Sequence, residues 1–448
     1  MQYKSPNLFG FFYALFSPIE LPTPVTSANL IKLLTHLLAV KMIEPSNSNT
    51  DVLLARQPIF DRNMSVYGYE LLFRAGQNSD SAEFLCGDTA TSLLLLNNYA
   101  SLTQAKEHHR VPAFINVTEN LLRAPDLLPV PPENVVLEVL EDVTPDQSLI
   151  DAITRYKQLG FKIALDDYPF TKEFEQLLEH ADFIKIDVLN YDLALIQRKL
   201  DQMKNFDAQL LAEKVEDHES YVNCLKLGFH LFQGYFFERP QIVRGMQLPS
   251  NKQVIVQILS YLYDPEVAPE QVADQISLDA QLCYRLLKII NSAAYGLPRK
   301  IDSVKEAIIM LGLQQLKRWI TLLAFSSDND TPAELLRTLL VRARTCETLA
   351  SKKHESSPEA AFTVGLFSGI DALLGADLNY LLNELPLSDE IIEAITQYKG
   401  NLGEHLRTVI TLERADWEQL PKSIDPIALN IAYCEAIKWC DELTNSID

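Results

Sequence analysis

The chain has 448 residues, 47% of them hydrophobic and 22% charged, and a formal net charge of −21. That length exceeds one ordinary hydrophobic core and implies two or three domains of globular type. The acidic excess argues against binding a nucleic-acid polymer or an anionic lipid surface, both of which need clustered Lys and Arg.

Residues 1–50 read as an N-terminal extension. Leu8 to Phe16 is apolar but too short to span a bilayer, and although Lys4 precedes it no small-residue cleavage site follows. Residues 28–41 have the pattern of a short amphipathic helix, and Met42 before a polar linker is an alternative translation start. Export or membrane anchoring stays open as the second reading of this segment. The cysteines, Cys86, Cys224, Cys283, Cys346, Cys434 and Cys440, form no CxxC pair. Reduced thiols in a cytoplasmic protein are expected. The histidines form no metal-binding pair.

From residue 52 the pattern alternates. Strands are predicted over 52–60 and 66–74 around a turn at 61–63, then over 112–117, 134–140, 161–166, 182–187, 208–213 and 230–236. Helical patterns lie between them at 87–103, 119–124, 146–158, 171–179, 190–204 and 217–227. Strands alternating with helices in so short a span predict a closed, TIM-like β/α barrel over residues 51–241. In such a barrel the strand ends converge on one face. Those ends carry Glu70, Asn116, Glu138, Asp166 with Asp167, Lys185, Glu213 and Gln233. Carboxylate and amide oxygens in one place suit a hard divalent cation. Any one of them alone reads as a helix cap, and Lys185 with Asp187 as a surface ion pair; the set together reads as a site.

After Pro240 only helical periodicity remains, so residues 242–448 are predicted to be an all-α domain joined near 240–250. Its helices are expected at 252–262, 269–276, 279–290, 303–312, 314–326, 332–353, 358–374, 376–384, 388–398, 402–412, 414–419 and 425–443. Ser303 with Glu306 forms a capping box, and Ser357 before Pro358 marks a helix start.

The segments QPI (57–59), YGYELLFR (67–74), INVT (115–118), LEVLE (137–141), ALDDY (164–168), FIKID (183–187), AEKVE (212–216) and QGYFFERP (233–240) together resemble the EAL phosphodiesterase domain. Residues 245–326, with LPSNKQVIVQIL, ISLDAQLCYRLLKIINSAAYG and IDSVKEAIIMLG, resemble the HDOD domain, a helical relative of HD hydrolases. The resemblance implies hydrolysis of cyclic di-GMP to linear pGpG with Mg²⁺ or Mn²⁺, two ions per site. It implies metal ligation by Glu70, Asn116, Glu138 and Asp166, with Asp166 bridging to a second ion that Asp167 helps hold. Lys185 would orient or deprotonate the attacking water, making it catalytic together with Glu70 and Glu213. Glu213 and Gln233 would hold metal-bound waters, while Gln57, Arg74 and Gln233 face the substrate. Glu141 would support the loop that follows Asp167.

The pattern departs from the family at two places. DDYPFTKEF replaces the usual DDFGTGYSS, and Lys214 stands where Gly is usual. At 367–369, where HD relatives place a histidine, the chain has Phe-Ser-Gly. Hydrolysis by the helical domain is therefore not expected. Asn291, Ser292, Tyr295 and Gly296 match the HDOD signature and read either as partner recognition or as a helix stop. Three functions follow from these motifs: a cyclic di-GMP phosphodiesterase regulated by its helical half, a receptor that binds the dinucleotide without turnover, or an adaptor docking an unidentified protein. Pairing of the barrels into a homodimer is a further expectation.

Overall fold

The computed structural model describes residues 52–75, 111–124, 132–203, 206–238, 250–277, 280–291, 299–326, 333–353 and 356–447. The N-terminal extension, the predicted helix at 87–103, nearly all of the link at 240–250, and Ser292, Tyr295 and Gly296 lie outside the described residues.

Eight strands close in sequence order into a barrel: β1 (Val52–Asp61), β2 (Val66–Ala75), β3 (Ala113–Val117), β4 (Val135–Val139), β5 (Lys162–Leu165), β6 (Phe183–Asp187), β7 (Gln209–Glu213) and β8 (Leu231–Gln233). β2 to β8 are parallel, as the alternating pattern predicts. β1 instead runs antiparallel to both β2 and β8. The cause is local. Asp61 Oδ1 accepts from the Asn63 and Ser65 N–H groups at 2.8 and 2.9 Å, and Met64 takes φ +62°, so a tight hairpin leaves no crossover. β1 therefore reaches the site from its middle, with Gln57 opposite Glu70.

Helices α1 (Glu119–Arg123), α2 (Gln147–Gln158), α3 (Leu193–Gln202) and α4 (His218–Leu227) follow β3, β4, β6 and β7. Asp146, Asp192 and Asp217 cap the last three by accepting from backbone N–H groups. The helix expected at 171–179 is only a 3-10 segment, Glu175–His180, because Pro169 and left-handed Phe170 occupy its approach. Inside the barrel Ile59, Phe114, Val136, Ala164, Phe183, Leu211 and Leu231 form a packed plug, with the Phe114 and Phe183 rings 5.2 Å apart. This plug is the floor of the site.

The second half is helical, as predicted: α5 (Ser250–Tyr263), α6 (Pro269–Ser277), α7 (Ala280–Ile290), α8 (Val304–Leu311), α9 (Leu313–Ser326), α10 (Ala333–Lys353), α11 (Pro358–Phe367), α12 (Ile370–Leu374), α13 (Leu378–Asn383), α14 (Asp389–Gln397), α15 (Gly400–Glu413) and α16 (Pro426–Ile447). Ser303 Oγ caps α8 by accepting from Glu306 N at 3.2 Å, while the Glu306 carboxylate reaches back to the Asp302 N–H. The single helix predicted at 358–374 breaks at Ser368–Gly369, and the segment expected at 414–419 is a 3-10 turn, Trp417–Gln419. Against α10, α11 crosses so closely that a Cβ on Gly365 would lie 2.5 Å from Ala343 Cα. Among the described residues no helix is long and apolar enough to cross a membrane.

The helices α15 and α16 pack on the outer face of β1. Leu54 N–H donates to Asn430 Oδ1 at 3.1 Å, and Tyr69 O–H donates to Glu334 Oε2 at 2.9 Å. The Arg56 guanidinium lies 4.7 Å from the Tyr69 ring centre, and Arg337 pairs with Asp441 while donating to Tyr69. Side chains alternate along a strand, so the neighbours Gln57 and Glu70 point the other way, into the barrel.

Candidate functional site

The period of two along β6 places Phe183 in the floor and Lys185 one layer above it, fully buried. Four carboxylates from four other strands surround the Lys185 ammonium, Glu70 from the middle of β2 rather than from its end as expected. Asp166 Oδ1 is at 2.6 Å, Glu138 Oε1 at 2.7 Å, Glu213 Oε1 at 3.0 Å and Glu70 Oε2 at 3.4 Å. The surface-ion-pair reading of Lys185 is thereby excluded. Burial alone would lower the lysine pKa, yet Asp166, Glu138, Glu213 and Glu70 together hold it well above its usual range. The carboxylates bear the cost. Burial, reinforced by Glu70, pushes Glu138 well up against the pull of Lys185. Burial likewise pushes Glu213 up to about 8, with Lys185 opposing and Asp166 adding.

The amides complete the ring. Asn116 Nδ2 donates to Glu70 Oε1 at 3.3 Å, and Gln233 Nε2 donates to Glu70 Oε2 at 2.6 Å and to Gln57 Oε1 at 3.1 Å. Gln233 is set by Gly234, whose φ is +142° and whose absent Cβ would strike the Val215 carbonyl oxygen. Asn116 Oδ1, Glu138 Oε2, Glu213 Oε2 and Gln233 Oε1 are buried and accept no hydrogen bond among the described residues. Buried acceptors without donors are costly. Oxygen donors in excess of the cations present fit a hard divalent ion. As placed, the carboxylates turn onto the ammonium, and among the described residues no three of them stand around a separate cation position.

Asp167 sits apart from this ring. Its backbone has φ +40°, its Oδ1 is buried and accepts no hydrogen bond among the described residues, and its Oδ2 lies 3.7 Å from Lys214 Nζ. Lys214, at φ +55°, also pairs closely with buried Asp187. A non-glycine residue at that φ is strained, which is why glycine suits the position. Burial raises the Asp167 carboxyl and Lys214 opposes it. The loop that follows is held by aromatic packing in place of glycines and serines. Tyr168, Phe170 and Tyr191 form a run of edge contacts at 5.1 and 5.6 Å, and the Tyr168 hydroxyl is pushed up to about 12 by burial.

Two further predicted residues stand outside the cluster. Arg74 is half-buried at the end of β2 on the same strand face as Glu70, and it makes no ion pair with any described residue. Glu141 is exposed, and its side chain makes no hydrogen bond to loop 168–174; burial and then the neighbouring Asp166 and Asp167 raise its carboxyl. In the helical half Ser368 accepts from Arg342 Nη1 at 3.0 Å and donates to the Gly365 carbonyl, so the HD position holds a structural contact. Asn291 Oδ1 accepts from Ile301 N at 2.7 Å and its Nδ2 donates to Ile301 O at 2.8 Å, a two-way clasp. Sequence reasoning missed Tyr235, whose hydroxyl accepts from Gln57 Nε2 at 3.0 Å, and Asp187 as the partner of Lys214. The period-two spacing of Lys185 and Asp187 could have flagged the latter.

Comparison with known proteins agrees with this layout. Residues 41–240 match the EAL domain family and residues 248–385 the HDOD domain family. The chain is 33% identical over 408 residues to "Uncharacterized protein YuxH" of Bacillus subtilis, covering 88% of this chain and 99% of that protein. It is 30% identical over 405 residues to "Cyclic di-GMP phosphodiesterase CdgJ" of Vibrio cholerae, covering 88% of this chain and 93% of that protein. Among solved structures, a standalone EAL protein of Vibrio cholerae with c-di-GMP bound aligns over 43% of this chain and 92% of its own at 25% identity, with a TM-score of 0.34.

Proposed function

Because the chain belongs to the family that couples an EAL domain to an HDOD domain, we propose that it is a cyclic di-GMP phosphodiesterase yielding linear pGpG. The observation that carries this reading is the buried ring of four carboxylates sharing a single ammonium, with amide oxygens left over. Glu70, Asn116, Glu138 and Asp166 would hold Mg²⁺ or Mn²⁺, and Asp167 would face a second ion. When bound, such an ion acidifies a coordinated water and screens phosphate charge. Lys185, kept protonated by its neighbours, donates hydrogen bonds and orients a water rather than taking its proton. Glu213 and Gln233 hold water at the rim of the ring, and Arg74 and Gln57 take substrate phosphate and guanine. Glu141 would support the loop that follows Asp167, although Asp166 and Asp167 beside it disfavour its charge. The helical half regulates the barrel or docks a protein partner, and the free cysteines fit a cytoplasmic setting.

The reach of Lys214 toward Asp167 and the aromatic loop favour a second reading, a receptor that binds the dinucleotide without cleaving it. Chromatography of cyclic di-GMP incubated with the full chain and Mn²⁺ or Mg²⁺ separates the two. Accumulating pGpG supports the enzyme. Tight binding without pGpG supports the receptor, and a folded protein that does neither rejects both.

A further inference from the structure

Arg414 closes α15 at the point where the helical half meets the barrel, and its guanidinium lies 5.2 Å from the centre of the Tyr235 ring. Its side chain is exposed, but its backbone is held from behind. The preceding residue, Glu413, is buried and accepts from Arg342 Nε and Nη2 at 2.9 and 2.7 Å. Ahead of it, the Tyr235 hydroxyl accepts from Gln57 Nε2, Gln57 Oε1 accepts from Gln233 Nε2, and the same nitrogen donates to Glu70. Five side chains thus run in unbroken contact from the helical half to the carboxylate ring.

Among the described residues the Gln57 amide makes no other hydrogen bond. It borders a cavity of about 30 Å³ between barrel and helices, lined also by Tyr69, Glu334 and Tyr433. That volume admits a water or two but no nucleotide. The Gln57 amide is oriented by its hydrogen bonds, with Tyr235 on the nitrogen and Gln233 on the oxygen. Tyr235 in turn begins a short 3-10 segment, Tyr235–Glu238, and the Arg414 charge over its ring restrains it.

We propose that Arg414 and Tyr235 are positioning residues of the dinucleotide site, so that the helical half builds one wall of the pocket through Gln57. This rests on the reading that Gln57 contacts the dinucleotide. The test uses the full chain, measuring cyclic di-GMP affinity by calorimetry together with KM, kcat and the thermal midpoint. Arg414→Ala is expected to raise Kd and KM about two- to fivefold with kcat nearly unchanged, and Arg414→Lys to restore most of that loss. Tyr235→Phe, which keeps the ring and removes the hydroxyl, is expected to raise KM about two- to tenfold. In a Tyr235→Leu background Arg414→Ala should add nothing, because both act through one chain of contacts. Unchanged Kd and KM in Arg414→Ala, a lower thermal midpoint without a change in KM, or a full additive effect in the double variant overturns the proposal. If wild type neither binds nor hydrolyses the dinucleotide, the underlying site reading fails first, and this inference with it.

Discussion

Arg342 and Glu413 in the helical half and Lys185 with its carboxylates in the barrel are both buried charge clusters, yet they are built differently. The Arg342 guanidinium gives Nε and Nη2 to one Glu413 oxygen and Nη1 to Ser368. In the barrel one ammonium is divided among Asp166, Glu138, Glu213 and Glu70. Matched charges of the first kind hold helices in register. Surplus negative charge of the second kind is unfavourable unless another cation joins it, so the imbalance marks where function lies.

The contrast breaks most easily at Asp166. Asp166→Asn keeps the shape and removes the charge closest to Lys185, and turnover should fall on the order of a thousandfold, several kcal/mol of lost charge stabilisation. Retention of more than a tenth of wild-type turnover in folded protein contradicts the assignment. Removing each cluster's cation compares the two directly. Arg342→Ala should cost about 3–5 kcal/mol of stability, and Mn²⁺ should not restore it. Lys185→Met should also destabilise the metal-free protein, but there Mn²⁺ should recover much of the loss by supplying the missing positive charge. Equal responses of the two variants to Mn²⁺ in denaturant titrations would erase the distinction.

The strand patterns and the converging oxygen ligands were legible because Asp166 and Glu213 end short apolar runs and Glu70, Asn116 and Glu138 interrupt them. A period of two fixes which face such a residue takes. The reversal of β1 was not legible, since a hairpin turn in the sequence does not say which neighbours the strand pairs with. The helix expected after Asp167 failed because helical spacing outweighed the local breakers Pro169 and Phe170. Lys214 was visible as a departure, but its hold on Asp187 depends on a left-handed backbone that sequence spacing does not encode. Contacts such as Arg414 with Tyr235 join distant parts of the chain and carry no local signal.

Smaller effects sharpen the comparison. Glu213, held at about 8, and Glu138, raised above its usual range, keep protons that a metal must displace. A raised carboxyl pKa means protonation at lower pH, so apparent Mn²⁺ affinity should climb as pH rises from 6 toward 9, by up to about tenfold per unit for each proton released. Calorimetry across that range checks the sign; a flat profile means the ring is already ionised. Least of all, Lys214→Gly removes a strained backbone worth about 1 kcal/mol and an ammonium near Asp167. A severalfold gain in affinity for a second Mn²⁺ is expected, and an unchanged metal stoichiometry in native mass spectra would leave Lys214 without that role.

The most direct measurement is anomalous diffraction from crystals of the full chain soaked in Mn²⁺. The account predicts an ion about 2.1 Å from oxygens of Glu70, Glu138 and Asp166, with Lys185 released from at least one of its four carboxylates. Crystals without an anomalous peak in the barrel mouth, and with the ammonium still bound to all four, would contradict it.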